Sequence, residues 1–326
     1  MPRAHRRART VTYLIRSAPH VDLAPRVRLQ VMGISLRARA TRRVMAAVVA
    51  DVDRPLAVRR RRMAWSGRRR ALGVRYRDAS LGSLSARVAV PARRPVARRV
   101  LWFHGGGYTM GSAQTHLPVA GLLAKRANAE VTLPQYRLAP ESPFPAAYDD
   151  ALEACRSYLA EYDPSTVVIG GDSAGGGAAL AAVCGLRDAK EPLPAGLYLQ
   201  SPWIDLTGTS EGLDRRLAAD PFITRALFDE TARLYLSGHD PTDPRASPLF
   251  ADHEGLPATL IQAGSIEALL SDSKRLAASL DASGVDVTLD VADGMWHVYP
   301  QAVGFMPEAM RAFTQGVDFI VAKTVG

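Results

Sequence analysis

After residue 100, short apolar runs alternate with longer stretches of helical periodicity, and this alternation constrains the fold more than any other feature of the chain. Strand-like runs lie at 130–133, 166–169, 196–200, 258–263 and 285–291, and helical stretches near 115–127, 145–161, 175–188, 271–283 and 307–322. Parallel neighbours need a crossover, which a helix supplies, so the pattern predicts an α/β fold: a mostly parallel sheet covered on both faces, with ligands at the strand C-termini. The run 96–103 ends in continuous apolar residues, as a buried strand does, while 73–77 and 84–90 alternate apolar with polar. Residues 201–255 break the rhythm; rich in Asp and Pro, they read as an insertion on the functional face.

A length of 326 residues suits one large α/β domain with a smaller appendage. With 47% apolar and 22% charged residues the chain is neither disordered, collagenous nor coiled coil. Its net charge of +9 hides an asymmetry: residues 1–100 hold 26 Arg and 4 Asp, a charge of +22, and the remainder carries −13. Residues 1–70 read as a helical, arginine-rich arm, since Val27, Val31, Ile34 and Ala38, and then Val44, Val48 and Val52, recur near helical spacing. Docking of this arm on the acidic remainder is the favoured reading. Nucleic acid is not expected, and peripheral contact with an anionic membrane is the weaker alternative.

Cys155 and Cys184 are too few for a disulfide framework and fall in helical stretches, as buried free thiols. The best apolar stretch, Val44 to Val52 with Asp51 inside it, is too short to span a membrane. Arg6 and Arg7 open a charged stretch like a twin-arginine signal, but Arg16 interrupts the apolar residues behind it, so the expected location is cytoplasmic.

Chemistry concentrates at two glycine-rich turns. Val167-Val168-Ile169 runs into Gly171-Asp172-Ser173-Ala174-Gly175, and a good helix former follows. The serine therefore sits at a tight strand-to-helix turn, where Gly171 and Gly175 have no Cβ to clash and the hydroxyl is thrust outward. The N–H of Ala174, at the helix N-terminus, then faces any oxyanion formed there. Earlier, Leu101-Trp102-Phe103 leads into His104-Gly105-Gly106-Gly107-Tyr108, whose glycines leave backbone N–H groups able to approach a ligand. A phosphate-cradling loop is the rival reading, disfavoured by the absent P-loop lysine and by the glycine spacing.

Ser173 needs a base. Of seven histidines, His5 and His20 lie in the arm, His116, His239 and His253 read as surface residues, and His104 belongs to the glycine loop. His297 follows the last strand, on the same side of the sheet as the serine, and is the candidate base. The acid is expected on the loop after the preceding strand, where Gly264-Ser265-Ile266-Glu267 stands. Glu267 is the choice, with Asp272, better suited to the first turn of the next helix, and Asp293 as alternatives.

These motifs, with Tyr136-Arg137-Leu138-Ala139-Pro140-Glu141, Ser201-Pro202-Trp203 and His297-Val298, resemble those of the bacterial hormone-sensitive-lipase-like carboxylesterases (family IV) of the α/β-hydrolase fold, over roughly residues 70–322. The resemblance implies a sheet of about eight strands in a catalytic domain at 71–326, under a cap built from residues 1–70 and 201–255. It implies hydrolysis of short- to medium-chain acyl esters through an acyl-enzyme, with Ser173 as nucleophile, His297 as base and Glu267 as acid. Gly106, Gly107 and Ala174 would donate to the oxyanion, and His104, Gly105 and Asp172 would support the motifs. No cofactor or metal is implied; the partner is a small ester, and two copies could pair through the edge strand near 285–291 and the last helix. A non-catalytic ligand-binding protein on the same scaffold is the alternative. The chain departs from the family in carrying Gln135 where Asp usually precedes the Tyr-Arg pair, and Glu rather than the commoner Asp as the acid.

Overall fold

The computed structural model describes residues 11–12, 26–30, 34–49, 54–93 and 95–325. The twin-arginine-like pair Arg6 and Arg7, with His5, His20, Val31 and Val52, lies outside them.

Ten strands form one sheet among these residues: β1 Val11–Thr12, β2 Arg26–Gln30, β3 Val74–Leu81, β4 Leu84–Pro91, β5 Arg98–Phe103, β6 Ala129–Pro134, β7 Val167–Asp172, β8 Gly196–Gln200, β9 Thr259–Gly264 and β10 Val287–Ala292. Their order is β1-β2-β10-β9-β8-β7-β5-β6-β4-β3. Strands β5 to β10 are parallel, while β3 and β4 form an antiparallel hairpin that pairs with β6. The chain runs from β5 to β6 on one side and returns to β7 on the other, so the topological switch point, where sheets of this kind take ligands at the strand C-termini, lies between β5 and β7.

Side-chain alternation explains the layers. Val100 and Trp102 of β5, Val168 of β7 and Leu260 of β9 face one cluster, built with Leu117 and Leu123 of α3 (Ala113–Ala127) and Phe313 and Ile320 of α9 (Pro307–Lys323). Leu101, Phe103, Ile169 and Ile261 face the other, which includes residues of α4 (Ala146–Glu161), α5 (Ala174–Asp188) and α8 (Leu270–Ala282). Strands sandwiched this way have apolar residues at consecutive positions, which is why they were readable as short runs. Cys155 and Cys184 are buried free thiols on α4 and α5, as expected, and burial pushes both thiols upward, Cys184 to about 12. Gln135 Oε1 accepts from Ala113 N–H at the start of α3 (3.0 Å), beside the capping box formed by Ser112 and Thr115.

The arm differs from expectation. Helices α1 (Leu36–Val49) and α2 (Leu56–Ala64) are present, but residues 26–30 form a strand parallel to β10 rather than part of a helix. The open edge of β10 offers N–H and C=O groups that a helix cannot use, and Arg26-Val27-Arg28-Leu29-Gln30 alternates with the period of two that a strand requires. The expected edge strand is therefore covered by the chain's own β2, and is not open for pairing two copies.

Docking on the acidic remainder is local. Arg59 pairs with Glu230 and Arg60 with Glu141, each at 2.7 Å. Helix α2 buries none of its residues, so polar contacts rather than an apolar face hold it. Residues 201–255 contribute α6 (Leu213–Ala219) and α7 (Arg225–Leu236), and Thr231 of α7 lies against Gly107. Among the described residues no helix is long and apolar enough to cross a membrane.

The prediction from this layering is that Ile261→Ala, which leaves a void in the middle of β9, lowers unfolding free energy by about 2–5 kcal/mol. Urea titration checks it: the midpoint falls with an unchanged slope.

Candidate active site

Ser173 stands between the end of β7 and the start of α5 with φ +54° and ψ −124°, a conformation L-residues rarely adopt. Backbone bonds hold it there. Its N–H donates to Gln200 O and its carbonyl accepts from Trp203 N–H, both at 2.9 Å. A Cβ at Gly175 would press into the carbonyl oxygens of Phe103 and His104, so glycine alone lets α5 approach β5 this closely. Both flanking glycines were expected from the sequence to serve this purpose, and the contacts agree.

His297 lies on the loop after β10, with Nε2 2.9 Å from Ser173 Oγ. Burial disfavours the imidazolium and lowers the group to about 4, with a weak opposing pull from Asp172. The ring is therefore neutral near pH 7, able to accept a proton.

Glu267 is fully buried after β9. Its Oε2 accepts from Gly264 N–H and from Ser201 Oγ–H, both at 2.7 Å. Burial pushes the carboxyl well above its ordinary range, and Asp220 and Asp272 push the same way. Its Oε1 and His297 Nδ1 are both buried, and neither has a hydrogen-bond partner among the described residues. The alternatives are otherwise engaged. Asp272 sits in the first turn of α8, as expected, and accepts from Ser210 Oγ–H at 3.3 Å and Ile204 N–H at 3.4 Å; burial raises it to about 7. Asp293 is exposed and accepts from Ser265 Oγ–H at 3.1 Å.

The glycine loop follows β5. No acceptor among the described residues takes the N–H of Gly106, Gly107 or Ala174. Gly106 (φ +128°) and Gly107 (φ +62°) hold conformations open to glycine, and Gly107 lies against Thr231 of α7. Gly105 N–H instead donates to Asp172 Oδ2 at 3.1 Å. Asp172 also accepts from Trp102 Nε1–H (3.0 Å) and contacts His116 Nε2 (3.2 Å). Burial alone would raise its carboxyl, but His116, Trp102 and His104 together keep it below the ordinary range. His104 stacks on Tyr136 at 4.2 Å, and burial beside His116 lowers it to about 3.

Two expectations are corrected here. His116 and His253 are buried, not surface residues: His116 joins the Asp172 cluster, and His253 contacts Ser279 Oγ (2.7 Å) and Pro248 O (2.9 Å). Only His239 of that group is exposed. A polar neighbourhood in sequence did not reveal burial, because their partners come from distant segments. The sequence also gave no role to Ser201, whose Oγ accepts from Val298 N–H at 3.0 Å and so ties Glu267 to the His297 loop, or to Asp220. Asp220, raised to about 6 by burial, accepts from Ala268 N–H (2.8 Å) and Phe222 N–H (2.8 Å), anchoring the insertion beside Glu267.

Removing the Asp172 carboxylate strands buried donors, so Asp172→Ala is expected to cost about 1–3 kcal/mol for each group left unpaired. Thermal unfolding, with turnover measured below the transition, separates lost stability from a loosened glycine loop.

Comparison with known proteins agrees with this architecture. Residues 100–301 match the alpha/beta hydrolase fold family. An acetyl-hydrolase of Streptomyces hygroscopicus is 39% identical over 246 residues, 75% of this chain and 82% of that protein. A crystal structure of an esterase from the bacterial hormone-sensitive lipase family superposes with a TM-score of 0.84 at 34% identity, covering 90% of this chain and all of that one. The esterase EstE5, in a crystal soaked with p-nitrophenyl butyrate, also gives 0.84 at 34% identity, covering 89% and 99%. With this likeness covering three quarters or more of its length, the chain belongs to the hormone-sensitive-lipase-like esterases of the α/β-hydrolase fold and is a carboxylic ester hydrolase.

Proposed function

We propose that the chain hydrolyses short- to medium-chain acyl esters through an acyl-enzyme formed on Ser173, with His297 as general base and Glu267 as its orienting acid. The observation that carries this reading is the 2.9 Å approach of His297 Nε2 to the hydroxyl of a serine at a strained strand-to-helix turn, beside three unengaged amides. The presence of that base favours catalysis over a ligand-binding role.

In the proposed sequence, Ser173 Oγ attacks the ester carbonyl as its proton passes to His297 Nε2. The developing oxyanion accepts from the N–H groups of Gly106, Gly107 and Ala174. His297 then returns the proton to the departing alkoxide, leaving acyl-Ser173 and an alcohol. Water, deprotonated by the same nitrogen, attacks the acyl carbon, and collapse of the second oxyanion releases the acid and restores Ser173. Assignment of Glu267 rests on complementary remainders: its Oε1 and His297 Nδ1 are a buried acceptor and a buried ring nitrogen without a hydrogen-bond partner among the described residues. The acyl range rests on likeness to an acetyl-hydrolase and to an esterase soaked with a butyrate ester.

Ser173→Ala and His297→Ala are expected to lower kcat for p-nitrophenyl butyrate by about 10⁴-fold or more while leaving the fold intact. Unchanged turnover in either rejects the mechanism. Glu267→Gln is expected to be impaired and Asp293→Asn active; the opposite pattern moves the acid to Asp293. Profiling esters from acetyl to dodecanoyl sets the acyl range.

Protonating His297 removes the base, so kcat/KM falls as pH drops. Burial places the imidazole below the free value of about 6.5, so the acid limb is expected below that pH. A midpoint above about 7 would contradict the desolvated base.

A further inference from the structure

Most of the described arginines of the arm are not spent on the acidic body. Arg37, Arg61, Arg68, Arg69 and Arg70 form no ion pair with a carboxylate among the described residues, and neither do Arg75, Lys125 and Arg126 alongside them. Around these cations stand large apolar side chains that the fold leaves in water: Leu72 is 85% exposed, Leu36 81%, Trp65 64% and Phe305 52%. An exposed leucine alone needs no explanation, but four large apolar groups among unpaired cations do.

Contacts join them into one face. The guanidinium of Arg68 lies 3.9 Å from the Trp65 ring centre, and that of Arg69 lies 5.2 Å from the Phe305 ring centre. Arg37, next to Leu36, lines a surface groove with Gly304, Met306 and Pro307, which flank Phe305. Lys125 Nζ donates to Leu72 O at 3.1 Å, and Arg70 covers Tyr76. Glu308, the acid on this stretch, turns inward and accepts from Ser35 N–H (2.8 Å) and Ser35 Oγ–H (3.0 Å), so its carboxylate is occupied within the fold. The backbone beneath is fixed, since Gln114 Nε2–H donates to Gly67 O (3.2 Å) and Ala71 N–H to Tyr76 Oη (2.9 Å).

We propose that this face docks on an anionic lipid surface, with Trp65, Leu72, Phe305 and Leu36 entering the headgroup region and the surrounding cations pairing with lipid phosphates. Cations with long aliphatic stems beside an exposed tryptophan and leucines match what an interface between headgroups and acyl chains accepts. Nucleic acid would use the charge but leave the leucines in water, which favours lipid. The face adjoins the candidate site: Trp65 directly follows α2, and Arg60 of that helix donates through Nε to Thr109 O (2.7 Å), two residues beyond Gly107. Docking there brings the esterase to lipophilic esters at the membrane surface.

The test is sedimentation of the whole chain with vesicles of phosphatidylcholine, with and without about 30% phosphatidylglycerol. Retention is expected on the anionic vesicles alone, falling at least about tenfold between about 0.05 and about 0.5 M salt. Because Trp102, Trp203 and Trp296 are buried, a blue shift of tryptophan emission on binding reports Trp65, and Trp65→Phe should abolish it. Arg68→Glu/Arg69→Glu/Arg70→Glu and Leu72→Ser should each lose retention about tenfold or more while hydrolysing p-nitrophenyl butyrate at the wild-type rate, which certifies their fold. Retention equal on neutral and anionic vesicles, retention unaffected by these variants, or binding to duplex DNA without binding to vesicles would each overturn the proposal.

Discussion

The close approach of α5 to strands β5 and β7 at Ser173 is the constraint on which the rest of the structure depends. Gly175 lies against the carbonyls of Phe103 and His104, and Ser173 must accept a positive φ because the chain turns there with no room for a gentler path. That strain, of order 1–3 kcal/mol, is sustained by backbone bonds to Gln200 and Trp203 on the next strand and the segment beyond it. A serine in an ordinary loop would relax. Here the surrounding sheet over-determines it, and the hydroxyl stays within reach of His297.

Around this turn the protein buries polar groups that would be destabilising unless paired. Asp172 collects Gly105, Trp102 and His116, and so couples the glycine loop to β5, β7 and α3 through one carboxylate. Ser201 plays a comparable part on the other side, donating to Glu267 and accepting from Val298, so the loops after β8, β9 and β10 share one set of hydrogen bonds. Desolvation shifts the pKa of His297 down and that of Glu267 up, and so disfavours the charged form of both until a partner charge is present. In the proposed mechanism that partner arises during catalysis, when the imidazole takes a proton.

The arginine-rich arm illustrates how far composition carries. Its opposite charge to the remainder made mutual docking a reasonable expectation, and Arg59 with Glu230 and Arg60 with Glu141 realise it. Attraction between exposed charges is weak in water and fixes few side chains, so charge docking holds arginines such as Arg59 and Arg60 that face a carboxylate at short range. Arg37, Arg68 and Arg69 remain on the surface beside apolar residues, an arrangement no charge sum could show.

Much of the fold was legible because strands buried on two faces write themselves as short apolar runs and helices as periodic ones; the ends of α4 and α5 fall within one residue of the sequence reading. The turn at Ser173, the glycine loop and the place of His297 after the last strand were legible for a different reason: tight turns demand glycine, and strand ends mark the loops that follow them. Not legible were the burial of His116 and His253, the anchoring by Asp220 and Ser201, and the strand at 26–30. Each depends on a partner far along the chain, and β2 forms where helical spacing was read because the unpaired edge of β10 outweighed it. Sequence alone determined most element types after residue 100 and the glycine-bounded turn at Ser173, since both follow from near neighbours. Tertiary structure decided which groups meet, because the approach of His297 to Ser173 is set by strand order, and strand order is a property of the packed sheet.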